Sequence, residues 1–541
     1  MKTNRRLIPL LPRLMMALAA SVVTIGAGAE PQQIKLVVGI VVDGLDGDCL
    51  DLLEERFGAG GFRLMGSRGT TFNAVDYGTP VNGTAAAAMV MTGASPSVNG
   101  IAGDEVFDAL TLTATPTFAD AQVMGNFASK GFSPRAMRVS TVSDEARIAS
   151  GGISSVYAVA PTAARAMILG GHSGTLALWF NPRNGQWASS TYFSEIPTAI
   201  AARNRAQPLE MRMDTMSWTP SASLEGLGLP EHLTRYPFRY VFPRESRRIE
   251  RFMASPLANR EITNLAIDIL GTMRPGRSSD GVDVLNIAYS LTPFDYGRNS
   301  DARAEQLDAY LRLDNNLEQL FSAVDRNVGL DHALIYLAGT PPRPYSRRDE
   351  ERWGIPYGEF STRRAASLLN IYLIALHGNG DYVSGYHGGY IFLNRRLLKE
   401  RDIDLATVRR EAAEFMARMT GVAAAYTLDD ILAGRAGDNA EALRRNTVAT
   451  SAGDVLVTVA PGYHTVDDLA DPASAGSDAP VLVHRAGITA APAFIMGPGV
   501  VPATIGTPVD VRTLAPTVVR ILRIRSPNGA SLAPVPLSGA F

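Results

Sequence analysis

The chain has 541 residues, 46% of them apolar and 19% charged, with 51 basic side chains against 53 acidic ones for a formal net charge of -2. That composition supports a large folded core and excludes global disorder; the balanced charge gives no footing for nucleic acid or an anionic membrane. The single cysteine, Cys49, excludes an intramolecular disulfide and a thiolate metal site and reads as a small buried hydrophobe.

The N-terminus opens with Lys2, Arg5 and Arg6, then an apolar stretch from Leu7 to about Ile25 broken by Pro9, Pro12 and Arg13, then Ala27-Gly28-Ala29. A positive n-region, a short apolar core and a small-x-small site predict a signal peptide over 1–29, cleaved after Ala29. The stretch is too interrupted for a membrane anchor. No later run approaches spanning length, so the mature chain, 30–541, is expected outside the cytoplasm, periplasmic or secreted, with no membrane span.

The next element is Lys35-Leu-Val-Val-Gly-Ile-Val-Val-Asp43, a β-branched run without alternation that ends in a carboxylate. It predicts a central parallel strand buried on both faces, with Asp43 at its carboxyl end, where open α/β sheets place their sites. Residues 79–93, TPVNGTAAAAMVMTG, then put Thr84 at the head of an alanine-rich run. Two readings compete for it: a helix N-cap and a catalytic hydroxyl. Residues 181–260 are rich in Pro, Arg and polar side chains and lack periodicity, which predicts an insertion or cap. Further strand-like runs are Val284–Tyr289, Ala333–Leu337 and Ala493–Met496. Between them, Glu305 to Val324 keeps apolar residues at three-and-four spacing, the mark of an amphipathic helix. Residues 467–478 read as a surface loop. Strand and helix in alternation predict an α/β fold with a doubly wound, mostly parallel central sheet flanked by helices.

Ordered local segments tie these landmarks together. They include VVGIVVDGL, GAGGFRLMGSRGTTFNAVDYGTP, MTGASPSVNGIAGDEVFD, YLRLDNNLEQLFSAVDRNVG, GGYIFLNRRLLKERDIDL and PAFIMGPGVVPATIGTPVDVRTLAPTVVRILRI. On these the chain resembles the alkaline phosphatase superfamily, and most of all its secreted single-threonine phosphatases and the nucleotide pyrophosphatase/phosphodiesterases. The resemblance implies two zinc ions held by six Asp and His ligands, a threonine or serine nucleophile, and polar groups that cradle a phosphate ester.

Several of those elements are altered here. The first-strand ligand is present as Asp43. Where the resemblance places an Asp-x-x-x-His element, the chain reads Ser290-Leu-Thr-Pro-Phe-Asp-Tyr-Gly297, with Pro293 at the ligand position and Asp295 as the nearest carboxylate. Where it places Asp-His after a strand, the chain has Gly339-Thr340, which supply neither a carboxylate nor an imidazole. Asp331-His332 precedes that strand and reads as a loop pair. His484 is the candidate for the C-terminal histidine, with His464 a weaker one. The phosphate-cradling Lys-x-Arg falls on Thr162 and Ala164, and Arg165, one place later, is expected to point about 100° away on its helix. The cradling asparagine falls on Asp104, a carboxylate that would repel a phosphate dianion. Counting back from Thr92-Gly93 puts the nucleophile on Gly83; a one-residue deletion restores it to Thr84.

The expectation is therefore a degenerate phosphatase homologue that lacks the two-zinc site, needs no cofactor and is retained for binding a small molecule or a protein partner. The alternative is an active metal-dependent phosphomonoesterase or phosphodiesterase acting on a small phosphate ester. It would hold zinc or another divalent metal through Asp43, Asp295 and His484, with Asp104 at the substrate. A third reading places an anion on Arg343, Arg347 and Arg348, without metal.

Overall fold

The computed structural model describes residues 33–81, 83–235, 237–277, 281–291, 302–342, 354, 358–460, 462–466 and 489–537. The expectations for 1–29, 467–478, Asp295, His484, Arg343, Arg347 and Arg348 lie outside these residues, as does the His464 side chain.

The strand predicted from its β-branched run is β1, Leu36–Asp43. In chain order follow β2 (Gly69–Asp76), helix α1 (Gly83–Thr92), a hairpin of β3 (Glu105–Asp108) and β4 (Thr113–Pro116), and β5 (Gly125–Asn126). Then come β6 (Val156–Ala160), α2 (Ala163–Gly170), β7 (Leu176–Phe180), β8 (Trp187–Ser190), α3 (Pro256–Thr272), β9 (Asp283–Ser290), α4 (Arg303–Asn327) and β10 (Ala333–Gly339). Among the described residues the main sheet has eleven strands, of which ten run in the order β16-β2-β15-β10-β1-β9-β6-β7-β8-β5. Here β15 is Ala490–Met496 and β16 is Ala503–Ile505; a short β17, Val509–Asp510, also pairs with β2.

Strand β1 lies at the centre, parallel to β9 and β10 in registers that set Asp43 opposite Ser290 and Val42 opposite Gly339. Side chains alternate between two cores. Val38, Ile40 and Val42 face α3 and α4, while Val37 and Val41 face α1, α2 and helix α7 (Leu514–Leu522). Burial on both faces is what an unbroken apolar strand requires, so the doubly wound α/β expectation holds.

Two features differ from the sequence reading. Strand β15 has the same buried-run signature as β1 but runs antiparallel to both of its neighbours, β10 and β2. The reason is where its chain enters. Thr489 is tied to Asp76 and Tyr77 at the carboxyl end of β2, so the strand starts from the edge at which its parallel neighbours finish. Second, residues 358–466 carry a sheet of their own, unforeseen as a unit. Its strands are β11 (Val383–His387), β12 (Tyr390–Leu393), β13 (Val422–Thr427) and β14 (Val455–Val459), in the antiparallel order β11-β12-β14-β13. With helices α5 (Thr362–His377) and α6 (Leu405–Met416) they enclose a separate apolar core around Leu369, Leu373, Ile391 and Val408.

Before α3 begins at Pro256, the described residues of 181–260 hold short elements, among them Thr198–Ala206 and Arg248–Met253. They bury Trp218, Phe242 and Phe252 against the α3/α4 layer. Asp308 of α4 clamps the segment, accepting from Trp218 Nε1 at 2.6 Å and from both the amide and the hydroxyl of Ser221 at 2.5 Å. Among the described residues no helix is long and apolar enough to cross a membrane.

Candidate functional site

The carboxyl ends of β1 and β10 and the amino ends of α1 and α2 converge on one cluster. Gly44, at φ +77°, turns the chain directly after Asp43, a conformation glycine adopts without strain. Its amide donates to Thr340 Oγ1 at 3.1 Å, and that hydroxyl donates to Asp43 Oδ1 at 3.2 Å. Asp43 Oδ2 is taken by Arg165, from Nε at 2.9 Å and from Nη2 at 2.8 Å. The remaining terminal nitrogen, Nη1, donates to Thr84 Oγ1, and the Thr84 hydroxyl donates in turn to Asp104 Oδ1. The site is thus a hydrogen-bonded chain of carboxylate, guanidinium, neutral hydroxyl and carboxylate.

Burial grades across it. Thr84 is fully buried, the Arg165 and Asp43 side chains are 8% and 15% exposed, and Asp104 stands open to solvent. Tyr77 closes the floor, donating to the Gly339 carbonyl at 2.6 Å, and burial together with the Asp43 charge pushes its phenol upward, so it stays a donor. Asp104 sits at the base of the β3–β4 hairpin, its carbonyl held by the Thr117 amide at 2.8 Å. Phe107 anchors that hairpin on the second sheet, stacking on His387 at 5.4 Å and packing at a tilt against Phe392 at 4.7 Å between centroids.

Two sequence expectations are corrected here. Thr84 is not an N-cap: it is the second residue of α1, and its hydroxyl bonds to side chains across the site. Arg165 does not point away. Thr162 caps α2, its side chain accepting from the Arg165 amide at 3.4 Å, so Arg165 occupies the third helical position. Side chains there lean toward the helix amino end, and a side chain as long as arginine's reaches back past the cap to the carboxyl edge of the sheet. Gly83 makes the room: a Cβ at that position would stand 2.6 Å from Arg165 Nη2 and 3.1 Å from Asp43 Oδ1. The N-cap at Thr162 was the signal in the sequence that could have located Arg165.

The other expectations divide plainly. Asp43, Thr84 and Asp104 are brought together, though through Arg165 and through one another rather than as a ring of donors. Asp331 and His332 lie in a 3-10 turn, Leu330–His332, directly ahead of β10, with Asp331 paired with exposed Arg68 at 2.8 Å. Cys49 is half-buried; burial first, then the Asp46 charge, raises its thiol to about 12.

The described residues do not fit a zinc pair. Asp43 spends one oxygen on a guanidinium and the other on Thr340, and Gly339 and Thr340 offer no charged or imidazole donor. No group of three or more His, Cys, Asp or Glu able to hold a metal ion occurs among the described residues.

Residues 37–340 match the family described as type I phosphodiesterase / nucleotide pyrophosphatase. The chain is similar to the alkaline phosphatase PhoV of Synechococcus elongatus, at 26% identity over 92% of this chain and 91% of that one. It is also similar to the alkaline phosphatase PafA of Elizabethkingia meningoseptica, at 24% identity over 93% and 94% of the two chains. The crystal structure of wild-type PafA superposes with a TM-score of 0.78 at 22% identity, covering 93% of this chain and 98% of that one.

Proposed function

This chain belongs to the type I phosphodiesterase / nucleotide pyrophosphatase family of the alkaline phosphatase superfamily, and from that premise we propose that it is a degenerate, secreted member, retained for binding rather than for two-metal phosphoryl transfer. The observation that carries this reading is the state of Thr84. An in-line displacement needs the nucleophilic oxygen exposed to the phosphorus and activated by a cation or a base. Thr84 is fully buried, and its hydroxyl is held on one side by Arg165 and on the other by Asp104. Asp43, which the resemblance makes a metal ligand, neutralises an arginine instead. The mature domain spans 30–541, released by cleavage after Ala29, with 181–260 as its insertion.

A second reading, a phosphoric-ester hydrolase with an altered divalent-metal site, draws on one observation. Asp104 accepts from the Thr84 hydroxyl, which is the geometry a general base would need.

Elemental analysis of the purified mature protein, paired with p-nitrophenyl phosphate turnover, separates the two. The binding reading expects no stoichiometric transition metal and the same background turnover in wild type and Thr84→Ala. About two metals per chain, with turnover lost on Thr84→Ala, overturn it.

A further inference from the structure

We propose that the Arg165 guanidinium is the resident cation of this site: a covalently tethered positive charge that holds together the groups a metal ion gathers in the superfamily to which the chain belongs. The inference rests on the reading above and goes one step further, because it says what replaced the metal and not only that the donors are missing.

Three independent features place the charge. First, the guanidinium reaches both groups that the resemblance assigns to metal contact. Nε and Nη2 grip Asp43 Oδ2 at 2.9 and 2.8 Å, and Nη1 reaches the Thr84 hydroxyl. A planar fork with five donors can serve a carboxylate and a hydroxyl at once, which a lysine ammonium cannot do in fixed geometry. Second, the space is reserved for it. Gly83 lacks the Cβ that would stand 2.6 Å from Nη2, so the glycine next to the threonine and the arginine 82 positions later are a matched pair. Third, the vacated ligand position has been put to use: Thr340 satisfies Asp43 Oδ1 while accepting from the Gly44 amide. The result is a continuous hydrogen-bond chain through one cation, and its net charge with Asp104 included is -1, one positive group against two carboxylates. A second cation entering beside Arg165 would meet its charge and find Asp43 already neutralised.

The test is thermal unfolding with added cations. Wild type, Arg165→Ala, Asp43→Asn/Arg165→Ala and Gly83→Ala are each scanned alone, with millimolar methylguanidinium, with methylammonium as the charge control, and with Mn2+, which suits oxygen donors. Wild type is expected to be insensitive to all three. Arg165→Ala is expected to melt several degrees lower and to recover at least half of that loss with methylguanidinium or Mn2+, with methylammonium doing less. The recovery is expected to vanish when Asp43 is also replaced. Gly83→Ala, which displaces the guanidinium without removing it, is expected to lower the melting temperature as Arg165→Ala does. If Arg165→Ala yields no folded protein, Arg165→Gln, which fills part of the space without a charge, carries the same cation test. An Arg165→Ala melt equal to wild type, or a loss that no cation restores, overturns the proposal while leaving a metal-free, inactive wild type intact. Metal and turnover in wild type would instead strike the functional reading on which it rests.

Discussion

Replacing Arg165 by methionine keeps most of the side-chain stem and deletes the charge. The Arg165 and Asp43 side chains are 8% and 15% exposed, so the pair is largely withdrawn from water. Breaking such a pair by removing one member costs about 3–5 kcal/mol, because the surviving charge stays buried without its counterion. Asp43 keeps the Thr340 hydroxyl as a donor, which argues for the lower end, about 3 kcal/mol. Asp43→Asn leaves the Arg165 charge without its counterion but keeps an amide oxygen that accepts from the guanidinium, so a cost of about 2–3 kcal/mol is expected. In the double variant Asp43→Asn/Arg165→Met no charge is left uncompensated, so the total loss should fall short of the sum of the singles, with a coupling of about 1–3 kcal/mol. Urea unfolding followed by fluorescence of the four tryptophans gives the cycle, with the slope checked for constancy across variants. A single Arg165→Met cost within about 0.5 kcal/mol of zero, the usual range for exposed positions, or strict additivity in the double variant, refutes the argument that this pair is a buried, mutually dependent unit.

Asp308→Ala strips the acceptor from Trp218 Nε1, from the Ser221 amide and hydroxyl and from Arg312 Nε at once. A loss of about 3 kcal/mol is expected, with new protease cleavage between 219 and 239 as the readout. Asp454, 1% exposed, accepts from the Leu393 amide and pairs with Arg395 and Arg409. Asp454→Ala should therefore speed amide exchange across β11–β14 while leaving β1 protected. Asp214 is held below the ordinary carboxylate value of 3.8, at about 2, by hydrogen bonds from Arg244 and then Arg248. Because the folded value lies below the unfolded one, its contribution is present above pH 3.8 and is lost as pH falls toward about 2. The melting-temperature gap between wild type and Asp214→Asn should accordingly close across that window and stay constant from pH 5 to 7.

The parts of the fold that proved legible were those whose signal is local. An eight-residue β-branched strand, a helix with apolar residues at three-and-four spacing, and a carboxylate that ends a buried strand each follow from neighbours in the chain, and β1, α4 and the place of Asp43 came out as read. The sense of β15 was not legible, because a buried run looks the same in either direction and only the point of entry, at Thr489 beside Asp76, decides it. The second sheet was also hidden: its strands are four to six residues long, and no single one is distinctive. The candidate site was half legible for a related reason. The aspartate and histidine pattern draws attention to Gly339 and Thr340, whereas Gly83 reads only as an offset nucleophile position and Arg165 as pointing about 100° away. The arrangement here depends on Gly83 and Arg165 jointly, one supplying space and the other charge, and neither residue is distinctive in the sequence by itself. Asp43, largely withdrawn from water beside a buried threonine, needs a positive partner wherever no metal supplies one. Among the described residues, the helix start marked by Thr162 supplies that charge: an arginine at the third helical position, aimed at the carboxyl edge of the sheet where Asp43 ends its strand.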